Sequence, residues 1–200
     1  MSHATDDTSY SLIDRIREHD QAAWERLVDL YAPLVAAWCR QAGLNECDAD
    51  DVMQEVFASV LRGMSGFRRD RDGATFRGWL RVIARNCISQ HFRKVSRQAG
   101  GEGGTAAWQR IESIPDDLVP TDPTTEASEI QSVLQRGLQM IRAHFEPVTW
   151  QAFWQVVVDG RAAVDVASDL KISAGAVRQA KYKVLRRLRA ELGDVMELPS

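Results

Sequence analysis

The sequence predicts an all-α fold made of two small helical domains joined by a flexible linker. Apolar residues recur at helical spacing along most of the 200 residues. No segment shows the strict alternation of apolar and polar residues that is typical of a half-exposed strand. A stretch rich in glycine, proline and acidic residues interrupts the helical pattern. We therefore expect domains at residues 1–97 and 124–200, with the linker at 98–123.

The first domain is predicted to contain four helices. They span Ser9 to about His19, Asp20 to Gln41, Asp48 to about Gly63, and Thr75 or Phe76 to Lys94. Asp48 is the expected N-cap of the third helix, because its carboxylate can accept a hydrogen bond from the first turn. Pro33 lies inside the second helix and is expected to bend it.

The second domain is predicted to end in a helix-turn-helix. Helices are expected from Glu129 to Phe145 and from Pro147 to Gly160, followed by a short helix in RAAVDVASDL. A tight connection at residues 171–173 then leads into a long helix from Ala174 to about Leu192, capped by Ser173. Two helices joined by so short a turn are typical of this motif.

Composition and cysteine usage narrow the functional classes. No apolar run approaches the roughly 20 residues that a membrane-spanning helix needs, and the start MSHATDDTSY is not a signal peptide. Cys39, Cys47 and Cys87 form no CxxC pair, and the four histidines are scattered. We expect a cytoplasmic protein that does not bind a membrane, with no disulfide framework, metal or cofactor.

Charge is unevenly distributed along the chain, although the net charge is only -3. Residues 61–98 hold 10 basic and 2 acidic side chains, and residues 171–200 hold 7 and 3. Salt screens exposed charges beyond about 8 to 10 Å, so a local basic patch can bind phosphates on an acidic protein. The distribution predicts two basic surfaces.

The third predicted helix presents an acidic face. Val52, Val56 and Val60 fall on one side, whereas Asp51, Gln54 and Glu55 fall on another. Asp48 and Asp50 are equally well explained by the positive end of the helix dipole. This acidic face and the basic segment that follows it have opposite charges, which predicts two different partners.

The fourth predicted helix carries a row of arginines. Arg77, Arg81 and Arg85 repeat every four residues, opposite an apolar face that includes Phe76 and Leu80. Like charges at this spacing repel, and no acid on the same helix is interleaved with them. The row predicts an exposed surface for a polyanion, with nucleic acid as the first candidate.

The loop before that helix contains Phe67, Arg68 and Arg69. Cations and an exposed ring suit single-stranded nucleic acid, because each stacked base contributes about 1 to 3 kcal/mol. An alternative stays open, in which Phe67 packs beneath its own loop.

The last predicted helix has the pattern of a recognition helix. Its apolar face, with Val177, Ala180, Val184 and Leu188, lies opposite a polar one. Residues in the first turns of such a helix read base edges, and basic residues nearby bind phosphates. The favourable position of cations at a helix C-terminus explains Arg186, Arg187 and Arg189 about as well.

These motifs together resemble the extracytoplasmic-function sigma factors of bacterial RNA polymerase. DADDVMQEVF and FRGWLRVIARN are similar to region two of that family, and GAVRQAKYKVLRRLR is similar to region four. The resemblance implies a non-enzymatic initiation factor that binds core polymerase and recognises promoter DNA. Ala176, Ala180 and Val184 depart from the common region-four pattern, which affects the expected promoter sequence but not the fold.

The resemblance also implies roles for individual residues. Asp51, Gln54 and Glu55 would contact the clamp helices of the largest polymerase subunit, and the second domain would contact the flap of the second-largest subunit. At the minus-ten element, Phe67 would line a base pocket, Asn86 would contact a base edge, and the strand backbone would be held by Arg68, Arg69, Arg77, Arg81 and Arg85. At the minus-thirty-five element, the base readers would be Arg178, Gln179 and Tyr182, and the phosphate contacts would be Lys171, Lys181, Lys183, Arg186 and Arg187.

Three further points concern partners and alternatives. The acidic linker, with Asp116, Asp117 and Asp122, is compatible with mimicry of a nucleic-acid strand, and an anti-sigma factor is an open possibility. An autonomous helix-turn-helix repressor or activator would need a dimer seam or a sensor domain, and neither pattern is present. A metal-dependent enzyme acting on nucleic acid would need a second carboxylate helix or a histidine near Asp48, Asp51 and Glu55.

Overall fold

The structure of the chain is a computed structural model that describes residues 11–68, 75–98 and 123–196. These residues form helices joined by turns, with no strand among them, which confirms the all-α prediction. The chain divides into two compact units. The first unit contains Leu12–Val133 together with Val195 and Met196, and the second contains Leu134–Asp194.

The first unit is built from four helices and the beginning of a fifth. These are α1 (Leu12–Arg17), α2 (Gln21–Gln41), α3 (Glu46–Gly63), α4 (Phe76–Gln98) and α5 (Pro123–Ile141), with a 3-10 turn at Met64–Gly66 after α3. Asp20 caps α2 by accepting a hydrogen bond from the backbone N–H of Ala23. The helix continues through Pro33, whose side chain is exposed.

Helix α3 begins earlier than predicted, and the prediction that Asp48 is its N-cap is wrong. Asn45 is the N-cap, and its side-chain oxygen accepts a hydrogen bond of 2.9 Å from the N–H of Asp48. The side-chain amide of Asn45 donates in turn to a carboxylate oxygen of Asp48 at 2.8 Å. The pair interacts reciprocally across the first turn, so Asp48 supports the cap from inside the helix.

Four helices supply most of the core of the first unit, and α1 contributes Leu12, Ile13 and Ile16. Helix α2 buries Leu27, Leu30, Tyr31, Leu34 and Val35. The predicted apolar faces of α3 and α4 are also buried, through Val52, Val56, Val60, Phe76, Leu80 and Ala84. This packing turns the opposite face of α3 towards solvent.

The second unit contains the helix-turn-helix. After the end of α5 and a 3-10 turn at Arg142–His144 come α6 (Pro147–Val157), α7 (Ala163–Asp169) and α8 (Ala174–Leu192). The core between α6, α7 and α8 includes Ala152, Val166, Ala167, Val177 and Ala180. Ser173 caps α8 as predicted, accepting a hydrogen bond of 3.1 Å from the N–H of Ala176.

The sequence places residues 124–133 in the second domain, but in the structure they pack with the first unit. Most of the predicted linker, with Trp108, Asp116, Asp117 and Asp122, lies outside the described residues. Within the described part of the chain, no helix is both long enough and apolar enough to cross a bilayer.

Candidate protein and nucleic-acid interfaces

The acidic face of α3 is displayed as the sequence predicts. Asp51, Gln54 and Glu55 are exposed, while Val52 and Val56 behind them are 3% and 0% exposed. Within the described ranges, neither Asp51 nor Glu55 forms a salt bridge. Two carboxylates and an amide are therefore presented together on a rigid helix, available to a basic partner.

Asp48 has a different environment from these three residues. Its carboxylate bonds the Asn45 cap and lies 3.6 Å from Nε2 of His91 on α4. Across the described residues, no group of three or more His, Cys, Asp or Glu side chains could hold a metal ion.

The arginine row on α4 is not uniformly exposed. Arg77 and Arg81 are 5% and 7% exposed, whereas Arg85 is half-buried. The expectation that the row forms one exposed surface is therefore wrong for its first two members. The physical reason lies outside α4, because the compensating carboxylates come from α5, about 50 residues later in the chain.

Glu129 is the centre of this buried ionic cluster. Its Oε2 accepts a hydrogen bond of 3.0 Å from Nη1 of Arg77 and another from Nη2 of Arg81. Its Oε1 accepts a hydrogen bond of 2.8 Å from Nε1 of Trp38 on α2. Both carboxylate oxygens are thus satisfied, as a buried charge requires.

Two further contacts belong to the cluster. Glu126, one turn before Glu129, accepts a hydrogen bond of 2.7 Å from Nη2 of Arg77 and is 41% exposed at its side chain. The guanidinium of Arg81 lies over the Trp38 ring, with Cζ 5.1 Å from the ring centroid. The cluster therefore contains two positive and two negative groups, and its charges balance.

Phe67 lies beneath its own loop, which is the alternative that the sequence left open. It is 6% exposed, and its ring centroid lies 5.4 Å from that of Phe76 and 4.9 Å from that of Trp79. Arg17 of α1 holds the loop by donating from Nη2 to the carbonyl of Phe67 at 2.6 Å. The sequence carried no signal for this role of Arg17, because the hydrogen bond joins residues far apart in the chain.

The other residues predicted for the minus-ten element fall into two groups. Arg68 and Asn86 are exposed, so both are accessible to a strand of nucleic acid. Arg69 lies outside the described residues.

Helix α8 presents its predicted polar face to solvent. All the residues predicted to contact the minus-thirty-five element are exposed, namely Lys171 in the turn before α8 and, on the helix, Arg178, Gln179, Lys181, Tyr182, Lys183, Arg186 and Arg187. Tyr182 is 64% exposed, and the Arg186 guanidinium lies 5.9 Å from its ring centroid. Val177, Val184 and Leu188 are buried on the other side, so the helix is anchored by one face and exposed along the other.

An ion pair that the sequence analysis did not identify stabilises the start of the helix-turn-helix. Arg161, just before α7, donates hydrogen bonds to Asp169 at 2.5 Å and to Gln155 at 2.6 Å. The Asp169 carboxylate also raises the pKa of Arg161 above its usual value. This contact joins α6 to α7 and so helps to place the turn before α8.

Sequence comparison identifies a known region in the first unit. The family model described as Sigma-70 region 2 matches residues 27–98. This range includes the acidic face of α3, Phe67 and all three arginines of the row.

Two curated relatives match over most of the chain. One is "ECF RNA polymerase sigma factor SigE" of Mycolicibacterium smegmatis, 28% identical over 85% of this chain and 63% of the relative. Another is "ECF RNA polymerase sigma factor SigW" of Bacillus subtilis, 22% identical over 92% of this chain and 96% of the relative. The match thus covers less than two thirds of SigE but nearly all of SigW.

A solved structure, "Structure of CnrH in complex with the cytosolic domain of CnrY", matches 90% of this chain and 93% of that chain. Its identity is 19% and its TM-score is 0.37, too low to support a common arrangement.

Proposed function

We propose that this chain, which belongs to the extracytoplasmic-function sigma factors of bacterial RNA polymerase and so has a role in transcription initiation, directs core polymerase to specific promoters. The observation that carries this proposal is the separation of two opposite surfaces. An acidic face is exposed on α3 of the first unit, and a basic face is exposed on α8 of the second.

The acidic face is the proposed docking surface for core polymerase. Asp51, Gln54 and Glu55 would contact the clamp helices of the largest subunit. Charges displayed on a rigid helix accelerate encounter with a basic partner and fix its orientation. An anti-sigma factor, if this chain has one, would block docking most directly by covering the same three side chains.

The polar face of α8 is the proposed reader of the minus-thirty-five element. Arg178 and Gln179 lie in the second turn of α8, where a recognition helix meets base edges in the major groove, and Tyr182 lies one turn further along the same exposed face. Arginine pairs well with guanine and glutamine with adenine, which gives these positions the chemistry for direct readout. Phosphate contacts would come from Lys171, Lys181, Lys183, Arg186 and Arg187, and the second unit would also contact the polymerase flap.

The first unit is the proposed reader of the minus-ten element. Arg68 and Asn86 are exposed, so they are the described residues best placed to meet an opened strand. Strand separation would draw on binding energy, because unstacked bases that bind the protein shift the equilibrium towards the open form. Phe67, Arg77 and Arg81 could join this surface only after a local rearrangement, since all three are buried.

Reconstitution with core polymerase tests the proposal. The chain is mixed with purified bacterial core enzyme and passed over a size-exclusion column, and the complex is then used for run-off transcription of fragmented genomic DNA. We expect co-elution and a discrete set of transcript starts that core enzyme alone does not produce.

The same experiment separates the two other candidate functions. A repressor or activator would shift promoter fragments in a gel without polymerase and would not co-elute with it. A metal-dependent nuclease would degrade the DNA and lose that activity on chelation. Either result, or failure to co-elute, would overturn the proposal.

A further inference from the structure

The beginning of α5 covers a basic surface of α4. The carboxylates of Glu126 and Glu129 accept hydrogen bonds from the guanidinium groups of Arg77 and Arg81. Trp38 of α2 donates a further hydrogen bond to Glu129. A carboxylate oxygen and a phosphate oxygen make the same kind of charge-assisted hydrogen bond to guanidinium. The two glutamates are therefore hydrogen-bonded to the same guanidinium groups that the phosphates of a nucleic-acid backbone would bind.

The position of Arg77 makes this cover effective. It lies in the first turn of α4, which contains no acidic residue. The helix dipole places partial positive charge at this end, so an arginine there is unfavourable unless an external anion is near. Glu126 and Glu129 supply that anion in the free chain, and two backbone phosphates, with one negative charge each, could replace them without loss of charge balance.

The covering segment is also suited to displacement. Glu126 is 41% exposed at its side chain, so solvent reaches the edge of the cluster. Helix α5 is continuous from Pro123 to Ile141 and carries residues of both units, with the boundary after Val133. A force on the second unit would therefore act on this helix directly.

We propose that the start of α5 is an acidic latch on α4, which must be displaced before Arg77 and Arg81 can bind a nucleic-acid backbone. The latch makes the free chain a weak DNA binder and couples promoter engagement to a change in the first unit. The inference rests on the proposed function for its biological role, whereas the first of the two tests below examines the latch without polymerase or a promoter.

The first test measures binding of a fluorescein-labelled, random-sequence single-stranded DNA to the full chain by anisotropy over a range of salt. In the double variant E126Q/E129Q, we expect binding to tighten on the order of tenfold. Two newly available phosphate contacts should steepen the slope of log affinity against log salt by about 1.4, at about 0.7 per contact for single strands.

Two control variants make the result specific. E18Q/E25Q removes the same net charge from exposed carboxylates of the first unit and should leave the slope unchanged. Adding R77Q/R81Q to E126Q/E129Q should abolish the gain. An equal gain in E18Q/E25Q, or a gain that survives R77Q/R81Q, would overturn the latch.

The second test uses the wild-type chain, so it does not depend on whether E126Q/E129Q folds. Amide hydrogen exchange of residues 124–133 is measured in the free chain and in its complex with core polymerase and promoter DNA found by run-off sequencing. Loss of protection in the complex is expected. If the complex forms and these amides stay protected, the latch proposal is refuted and the proposed function is not affected. Failure to form a complex would instead count against the proposed function.

Discussion

The ring of Phe67 packs against the indole of Trp79, with their centroids 4.9 Å apart and their planes inclined by 35°. Phe76 meets both rings edge-on, at 5.4 Å from Phe67 and 5.6 Å from Trp79. Gly63 at the end of α3 lies so close that an added Cβ would come 3.0 Å from the Trp79 ring. The loop before α4 is therefore anchored by an aromatic cluster.

Substitution of Phe67 distinguishes a core residue from a base-binding one. Phe67→Ala should lower the free energy of unfolding by about 3 to 5 kcal/mol, because it leaves a cavity between Phe76 and Trp79. Phe67→Leu keeps most of the apolar volume and should cost less than about 1.5 kcal/mol. Urea denaturation of both variants measures the difference, and unchanged stability in Phe67→Ala would contradict the packing role.

Neutralising the acidic face should separate polymerase binding from folding. In D51N/E55Q, we expect affinity for core polymerase to fall at least about tenfold, because two exposed charges that orient the complex are removed. The melting temperature should not change. E46Q/D50N removes two other exposed carboxylates of α3 and serves as the matched control. Equal weakening of binding in the two variants would point to net charge alone.

Local patterns in the sequence are sufficient to predict most of the helices. The spacing of Val52, Val56 and Val60 predicts the buried face of α3, and that face in turn displays Asp51 and Glu55. The same holds for α8, where a single helical period separates the buried from the exposed side. Prediction succeeds in these places because each face depends only on residues of one helix.

Contacts between distant segments are not predictable in the same way. The environment of Arg77 and Arg81 depends on Glu129, and that of Phe67 depends on Trp79 and on Arg17. The repeat of arginines predicts an exposed surface only when α4, which contains no acidic residue, is considered by itself. The acids at the start of α5 raise the possibility of pairing, but the sequence does not give its geometry.

Cys39 and Cys47 should differ in reactivity towards iodoacetamide. Burial raises the pKa of the Cys39 thiol to about 11, so at pH 8 it is almost entirely protonated, and the thiolate is the nucleophile. Cys47 is exposed and should be alkylated first. Mass spectrometry of the native and the denatured chain checks the order, and rapid modification of native Cys39 would contradict its burial.

The same shift gives a pH dependence. Burial favours the neutral thiol, so the folded-state pKa of Cys39 lies above the unfolded value. The contribution of the Cys39 thiol to the free energy of unfolding is therefore fully present below the unfolded-state pKa and is lost as the pH rises towards about 11. C39A removes this contribution to the slope, although it also changes the packing.

The cap of α8 should contribute to the stability of the second unit. Ser173→Ala removes the acceptor for the N–H of Ala176 and should cost about 1 kcal/mol, whereas Ser173→Asp should retain the cap. Ser168→Ala changes an exposed serine of α7 and is the matched control. Thermal unfolding followed by circular dichroism compares the three variants. If Ser168→Ala lowers the stability as much as Ser173→Ala does, the loss in Ser173→Ala cannot be attributed to the helix cap.

Substitutions on α8 should separate reading of sequence from binding of phosphate. In holoenzyme, Arg178→Ala and Gln179→Ala should each reduce discrimination between bases at one promoter position by about 1 to 3 kcal/mol. Lys183→Ala should weaken binding to all sequences alike, and the salt slope should decrease by about 0.9 for each duplex phosphate that the variant no longer binds. Binding to a library of randomised minus-thirty-five sequences at several salt concentrations measures both effects.

The distinction between base-reading and phosphate-binding residues depends on their position along α8. Arg178 lies in the second turn from the Ser173 cap, whereas Lys183 is farther along the exposed face. Since the N-terminal turns of a recognition helix enter the groove, loss of sequence preference should be confined to substitutions there. If Lys183→Ala relaxes base preference while Arg178→Ala only lowers affinity, α8 enters the groove by its other end and the proposed reading is reversed.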